Sequence, residues 1–274
     1  MKTHLLTTVI KPLALAGSLV FASGFGATLA VAASDNSSSC AGLPSHTQLR
    51  SVLQSVAKGG GNGGLGNDMW GTVVNRDGVV CGVVFTGADR GAQWLGSRVI
   101  SAQKANTANA FSRPSGVIGF AGALSTANLF AAVQPGGSLF GLQHSNPVDA
   151  EAAYQGNAAS FGQPNDPLVG EKVGGVNVFG GGLALYNRAG DFVGGLGVSG
   201  DTSCADHIIA WKVRHGLNLD NVPAGVSITG DDNIIFAPAA GLQAAFSHPT
   251  CAPVGNPQTI AEALPTTHPI GPNP

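Results

Sequence analysis

The sequence predicts a three-layer, mixed α/β (α+β) domain, with helices covering an antiparallel sheet from Cys40 to Cys251. Two observations point to the sheet. Trp70–Thr86 and Val176–Val198 are each a pair of apolar runs rich in Val, Leu and aromatics, broken by Arg76-Asp77-Gly78 and Asn187-Arg188-Ala189-Gly190-Asp191. Turns this short join antiparallel neighbours, whereas parallel pairing needs a crossover that neither turn supplies. The third observation is helical periodicity with end signals over Pro44–Lys58, Ser97–Ser112 and Ser203–His215.

Taken in order, residues 1–33 read as a cleavable signal peptide. Lys2, His4 and Lys11 make a basic start, Leu13–Val31 an apolar core, and Ala30-Val31-Ala32 or Val31-Ala32-Ala33 a cleavage tripeptide. The expectation is a periplasmic or secreted protein with no stable membrane insertion after cleavage. Pro44–Lys58 carries Leu49, Val52, Leu53 and Val56 on one face. The following GGGNGGLG (residues 59–66) lacks a Gly-Lys-Ser/Thr ending and runs from helix to strand, so it reads as a connector rather than a phosphate cradle. Ser97 is placed as the cap of the second helix, which Pro114 stops. Residues 114–175 form an insertion longer than a compact domain needs, the kind of segment that serves as lid or ligand loop. Ser203 and Asp206 suggest a capping box on the third helix, and Gly216 its left-handed C-terminal cap. Residues 217–251 are an extension with a strand expected at Asn233–Ala237, and 252–274, Pro-rich and polar, read as a disordered tail.

Composition narrows the function classes. At 43% hydrophobic and 10% charged residues with net charge -2, the 274-residue chain has no concentrated basic patch, which argues against nucleic acid. Four cysteines in an exported chain suggest two disulfides, and loop-closure entropy favours Cys40–Cys81 and Cys204–Cys251. No zinc spacing, no Cys-x-x-Cys-His and no Gly-x-Ser-x-Gly elbow occurs, and no paired carboxylates stand out. No reaction can be read from the residues, and the chain reads as a binding protein more than an enzyme.

Two blocks carry a family resemblance. Residues 174–216 open on Gly-Gly and carry Val-Gly-Gly-Leu-Gly-Val-Ser-Gly before Asp201 and Asp206; residues 73–111 carry an Arg-Asp-Gly hairpin and a Lys-Ala-x-Thr-Ala core, Lys104–Ala108. They resemble the GlcG/HbpS-like (PduO C-terminal) family, with this chain an exported member bearing a C-terminal extension. The resemblance implies a profilin-like α/β/α fold, non-covalent haem binding in some members, and homo-oligomers.

Within that frame five residues are candidates for holding haem or a small anionic ligand: Lys104, Thr107, His144, His207 and Trp211. Lys104 interrupts the helical line Ile100–Thr107–Phe111, so it either snorkels to water or meets a carboxylate or haem propionate. His144 lies in the long insertion, and His207 shares a helix flank with Trp211; imidazole is a good iron ligand and an aromatic suits a porphyrin face. The alternatives are an envelope enzyme acting on a small anionic metabolite through Lys104 and Asp206, and an accessory subunit of an oligomeric assembly.

Overall fold

The computed structural model describes residues 39–114, 122–251 and 254–271. The signal-peptide expectation for 1–33 falls outside them. Four strands, β1 (Trp70–Asn75), β2 (Val80–Phe85), β3 (Gly182–Tyr186) and β4 (Phe192–Ser199), form one sheet in the order β2-β1-β4-β3, every pair antiparallel. Both hairpins therefore form as their turns predict. The β1–β4 pairing, Val73 opposite Leu196 and Gly71 opposite Val198, joins them across more than a hundred residues of sequence.

Strand alternation divides the sheet between two helical layers. Val73, Leu183, Leu196 and Val198 face α1 (His46–Lys58) and α5 (Ser203–Gly216), packing with Leu49, Leu53, Ile208 and Trp211. Trp70, Val74 and Val83 face the other way, with Val99, Ala102 and Ala105 of α2 (Ser97–Phe111). Where α2 crosses β4 the sheet offers no side chains: a Cβ on Gly195 would overlap the carbonyl oxygen of Ala105, and one on Gly197 that of Ser101. Thr72 Oγ1 and Ser101 Oγ, 2.7 Å apart, bond across the same contact.

Helix ends differ from the sequence reading in detail. Ser45 caps α1 in a reciprocal box with Gln48. Ser97 lies inside α2, which has no side-chain cap, because Gly96 already adopts helical dihedrals. Thr202, not Ser203, caps α5 by accepting from the Ala205 amide, so Ser203 is its first helical residue. Gly216 stays helical, and the left-handed residue after the helix is Asn218 (φ 55°).

The insertion carries two 3-10 turns, Thr126–Leu129 and Ala131–Val133. Two short helices follow, α3 (Leu142–Ser145) and α4 (Ala150–Tyr154). The later part of the insertion is no free lid. Leu168, Val173 and Ala153 enter the core beside α2, Val80 exchanges backbone bonds with Glu171 and Gly170, and Arg98 grips Asp166 in a buried ion pair. The Asn233–Ala237 strand shrinks to β5 (Ile235–Phe236), pairing parallel to β6 (Ser247–His248). The tail reading is corrected: Pro257–Thr267 is a helix, α6, with Pro257, Ala261 and Leu264 buried. Both expected disulfides are present, Cys40–Cys81 and Cys204–Cys251, with Cα separations of 5.7 and 6.1 Å. Among the described residues no helix is long and apolar enough to cross a membrane.

Candidate functional site

Lys104 projects from the middle of α2 past the glycine contact and ends at the head of α5. Its ammonium donates to Asp206 Oδ2 at 2.7 Å and to the Val198 carbonyl at 3.2 Å, and its side chain is 1% exposed. Asp206 completes its shell by accepting from the Asp201 amide on Oδ1, 2.9 Å away. Burial pushes the Asp206 carboxyl up to about 6, against the pull of Lys104. Of the two sequence alternatives for Lys104 the second holds: the ammonium does not reach water but meets a carboxylate, Asp206 of this chain. An anion-binding site built from Lys104 and Asp206 loses its basis, because the pair is neutralised internally.

This ion pair forms the floor of a cleft of about 320 Å³. Ile100 and Ser203 contribute walls, and Trp94 and Phe179 form its lips, 55% and 48% exposed. Trp94 sits on the loop between β2 and α2; Phe179 sits on the irregular stretch before β3. That stretch reaches the cleft because it is tied down at several points: Thr107 Oγ1 accepts from the Asn177 amide, Thr126 Oγ1 donates to the Phe179 carbonyl, and Ser203 Oγ accepts from the Gly180 amide. A larger cavity, about 530 Å³, lies between the extension and α6, but Glu262 is the sole ionisable residue on its described walls. Converging polar groups under an apolar mouth favour the smaller cleft as the ligand site.

The structure brings only Lys104 of the five candidates to this cleft. Thr107 is fully buried, bonding the Gln103 carbonyl and the Asn177 amide. His207 is fully buried one turn beyond Ser203 on α5, its Nε2 3.1 Å from Asn233 Oδ1 and its Nδ1 without a hydrogen-bond partner. Burial drives its pKa down to about 3, so the ring is neutral. Trp211 tilts against His207 with centroids 6.2 Å apart and donates to the His268 carbonyl beyond α6. His144 stands exposed on α3 and does not line the cleft. Lys104, His144 and His207 do not meet in this cleft within one chain: His144 is exposed away from it, and His207, one turn beyond Ser203, is sealed in the interior beneath Gly180.

Sequence reasoning missed Trp94, Phe179, Ser203 and His248. Trp94 and Phe179 are apolar residues in loops, where nothing in the periodicity marks them. Ser203 was assigned to a cap. His248, beside a proline, carries no motif, yet it bonds Ser203 Oγ at 2.8 Å across 45 residues of sequence.

The model of a family described as haem degrading protein HbpS-like matches residues 64–214. That span includes both hairpins, α2 and most of α5, and stops before the extension. Among solved structures, a PduOC:haem complex aligns at 24% identity over 63% of this chain and 91% of its own, with a TM-score of 0.41. Klebsiella pneumoniae protein ORFY, of the DUF336 family, aligns at 22% identity over 62% and 86%, with the same TM-score of 0.41. Curated proteins give no sequence match.

Proposed function

The chain belongs to the HbpS-like family, and on that premise we propose that it binds haem non-covalently in the cleft between Trp94 and Phe179. The observation that carries this reading is the pair of half-exposed aromatic lips, Trp94 and Phe179, which with Ile100 stand over a polar floor. Such lips suit the face of a planar macrocycle, and each well-placed aromatic contact contributes about 0.5–1.5 kcal/mol beyond its area. The fit is to the porphyrin body. No histidine or free thiol lines the cleft among the described residues, so this chain offers the iron no imidazole there. Bound haem would supply a redox-active iron; the chain supplies the slot and excludes water from its base. The exposed Arg90, four residues before Trp94 on the same loop, is a cation for a propionate, whereas Arg98, four residues after it, is buried against Asp166.

An exported location fits two disulfides and a leader-like N-terminus. A homo-oligomer belongs to the same reading and is tested by light scattering, where a monomer would remove it.

The ligand test is titration with hemin, followed by its Soret band. Saturable one-to-one binding is expected, with affinity falling about tenfold or more in Trp94→Ala/Phe179→Ala, a loss of roughly 1.4 kcal/mol or more. His144→Ala should leave the bound spectrum unchanged. Absence of saturable binding, or lip variants that bind like wild type, would overturn the assignment of haem to this cleft.

A further inference from the structure

We propose that Ser203 and His248 form a nucleophile–base dyad that opens on the same cleft and hydrolyses small carboxylic esters with an apolar acyl group. Ser203 Oγ lies 2.8 Å from His248 Nε2. His248 Nδ1 lies 2.6 Å from the Pro249 carbonyl oxygen, which can only accept, so the proton sits on Nδ1 and Nε2 presents its lone pair to the serine. Ser203 Oγ also accepts from the Gly180 amide at 2.7 Å, and this directs its own hydrogen toward the imidazole. A nucleophile, a base and a carbonyl that orients the base make the arrangement from which an alkoxide can form.

Three observations separate this pair from an ordinary helix-end hydrogen bond. The cap of α5 is already supplied by Thr202, so capping does not require the Ser203 hydroxyl. Ser203 is partly exposed and lines the cleft, while His248 behind it is 3% exposed, with the Phe130 ring 4.9 Å from its own. Burial and the nearby Lys104 charge hold the imidazole below its ordinary pKa, which keeps it a free base at neutral pH. The Cys204–Cys251 bridge joins the residue after Ser203 to the third residue after His248. The disulfide thus clamps the dyad, and β6 holds His248 from the other side through Ala237 N–H to the His248 carbonyl.

The step balances without a cofactor. Ser203 Oγ bonds to the ester carbonyl carbon as its proton passes to His248 Nε2. The carbon–alkoxide bond then breaks, and Nε2 returns the proton to the leaving alcohol. Water attacks the acyl-serine, giving its proton to Nε2; the acyl–Oγ bond breaks, and that proton restores the serine. Ile100, Trp94 and Phe179 would hold the acyl chain, and about 320 Å³ limits it to a short one.

The test is labelling of the purified, oxidised protein with a fluorophosphonate, read by intact mass and peptide mapping, beside hydrolysis of p-nitrophenyl butyrate. One adduct on Ser203 is expected, absent in Ser203→Ala, and a labelling rate about 100-fold lower in His248→Gln, at the low end for loss of a general base. Should His248→Gln fail to fold, the wild-type map alone decides. No adduct on Ser203, or an equal rate in a folded His248→Gln, overturns the dyad. Neither measurement uses haem, so the esterase and haem assignments stand or fall separately.

Discussion

Asp206 and His207 are neighbours in sequence and titrate in opposite senses. Burial raises Asp206 to about 6, so its contribution to stability is complete below the unfolded carboxylate value and lost as pH rises through 6. Burial lowers His207 to about 3, so its contribution is complete above about pH 6.5 and lost as pH falls toward 3. Between about pH 4 and 6 the two windows overlap and their slopes cancel, so the net loss of stability on acidification is the excess of the histidine displacement, about 2 kcal/mol. His207→Gln removes the opposing contribution, so its melting temperature should rise as pH falls from about 6 to 4, where the wild type changes little through this pair; an unchanged profile would mean that other groups set the acid limit. Lys104→Met should cost about 3–5 kcal/mol at pH 7, because it strands a buried carboxylate, and less at pH 5, where Asp206 is mostly protonated. Denaturation at the two pH values reads the difference, and equal costs would argue against a stranded charge. Lys104 was conspicuous in the sequence because a cation interrupts an apolar line. Its partner was not, since Asp206 lies 102 residues away and meets it only once the sheet has formed.

At the scale of elements, periodicity and turn chemistry made both hairpins and three of the helices legible, because each signal is local. Composition concealed α6. Its prolines suggest disorder, yet Pro257 stands at the first turn, where a missing amide hydrogen costs nothing, and Pro257, Ala261 and Leu264 repeat at helical spacing. The helix packs on α5, and Asn233 Nδ2 donates to the Ala261 carbonyl at 2.7 Å. Leu264, fully buried, should therefore cost about 2–5 kcal/mol on change to Ala, measured as a shift in the urea midpoint. A change within about 0.5 kcal/mol would show that α6 contributes nothing to the core. The pair Ser203–His248 was illegible for a different reason: a cap-like serine and a histidine beside proline form no motif until β6 and the Cys204–Cys251 bridge place them together.

For the molecule as a whole, charge is scarce and much of it is turned inward. Arg98–Asp166, Lys104–Asp206 and Arg214–Asp232 are all buried, each side chain 3% exposed or less. Salt screens surface pairs far more than buried ones, so raising NaCl from 0.05 to about 1 M should move the melting temperature little through these contacts. A large fall on adding salt would place the important charges at the surface. Replacing the Cys40–Cys81 bridge by two serines should lower stability by about 2–4 kcal/mol, since it ties the entry segment to β2. The seam of Gly195 and Gly197 against α2 has its consequence in how this chain can drift. Where layers meet through side chains, a substitution on one is absorbed by rotamers on the other. Backbone laid on backbone has no such slack. In a saturation library Gly195 and Gly197 should be empty columns, while Leu196 between them, facing the opposite core, accepts Ile or Met. Inheritance of this architecture is then carried less by its reactive groups than by two positions where the permitted side chain is none.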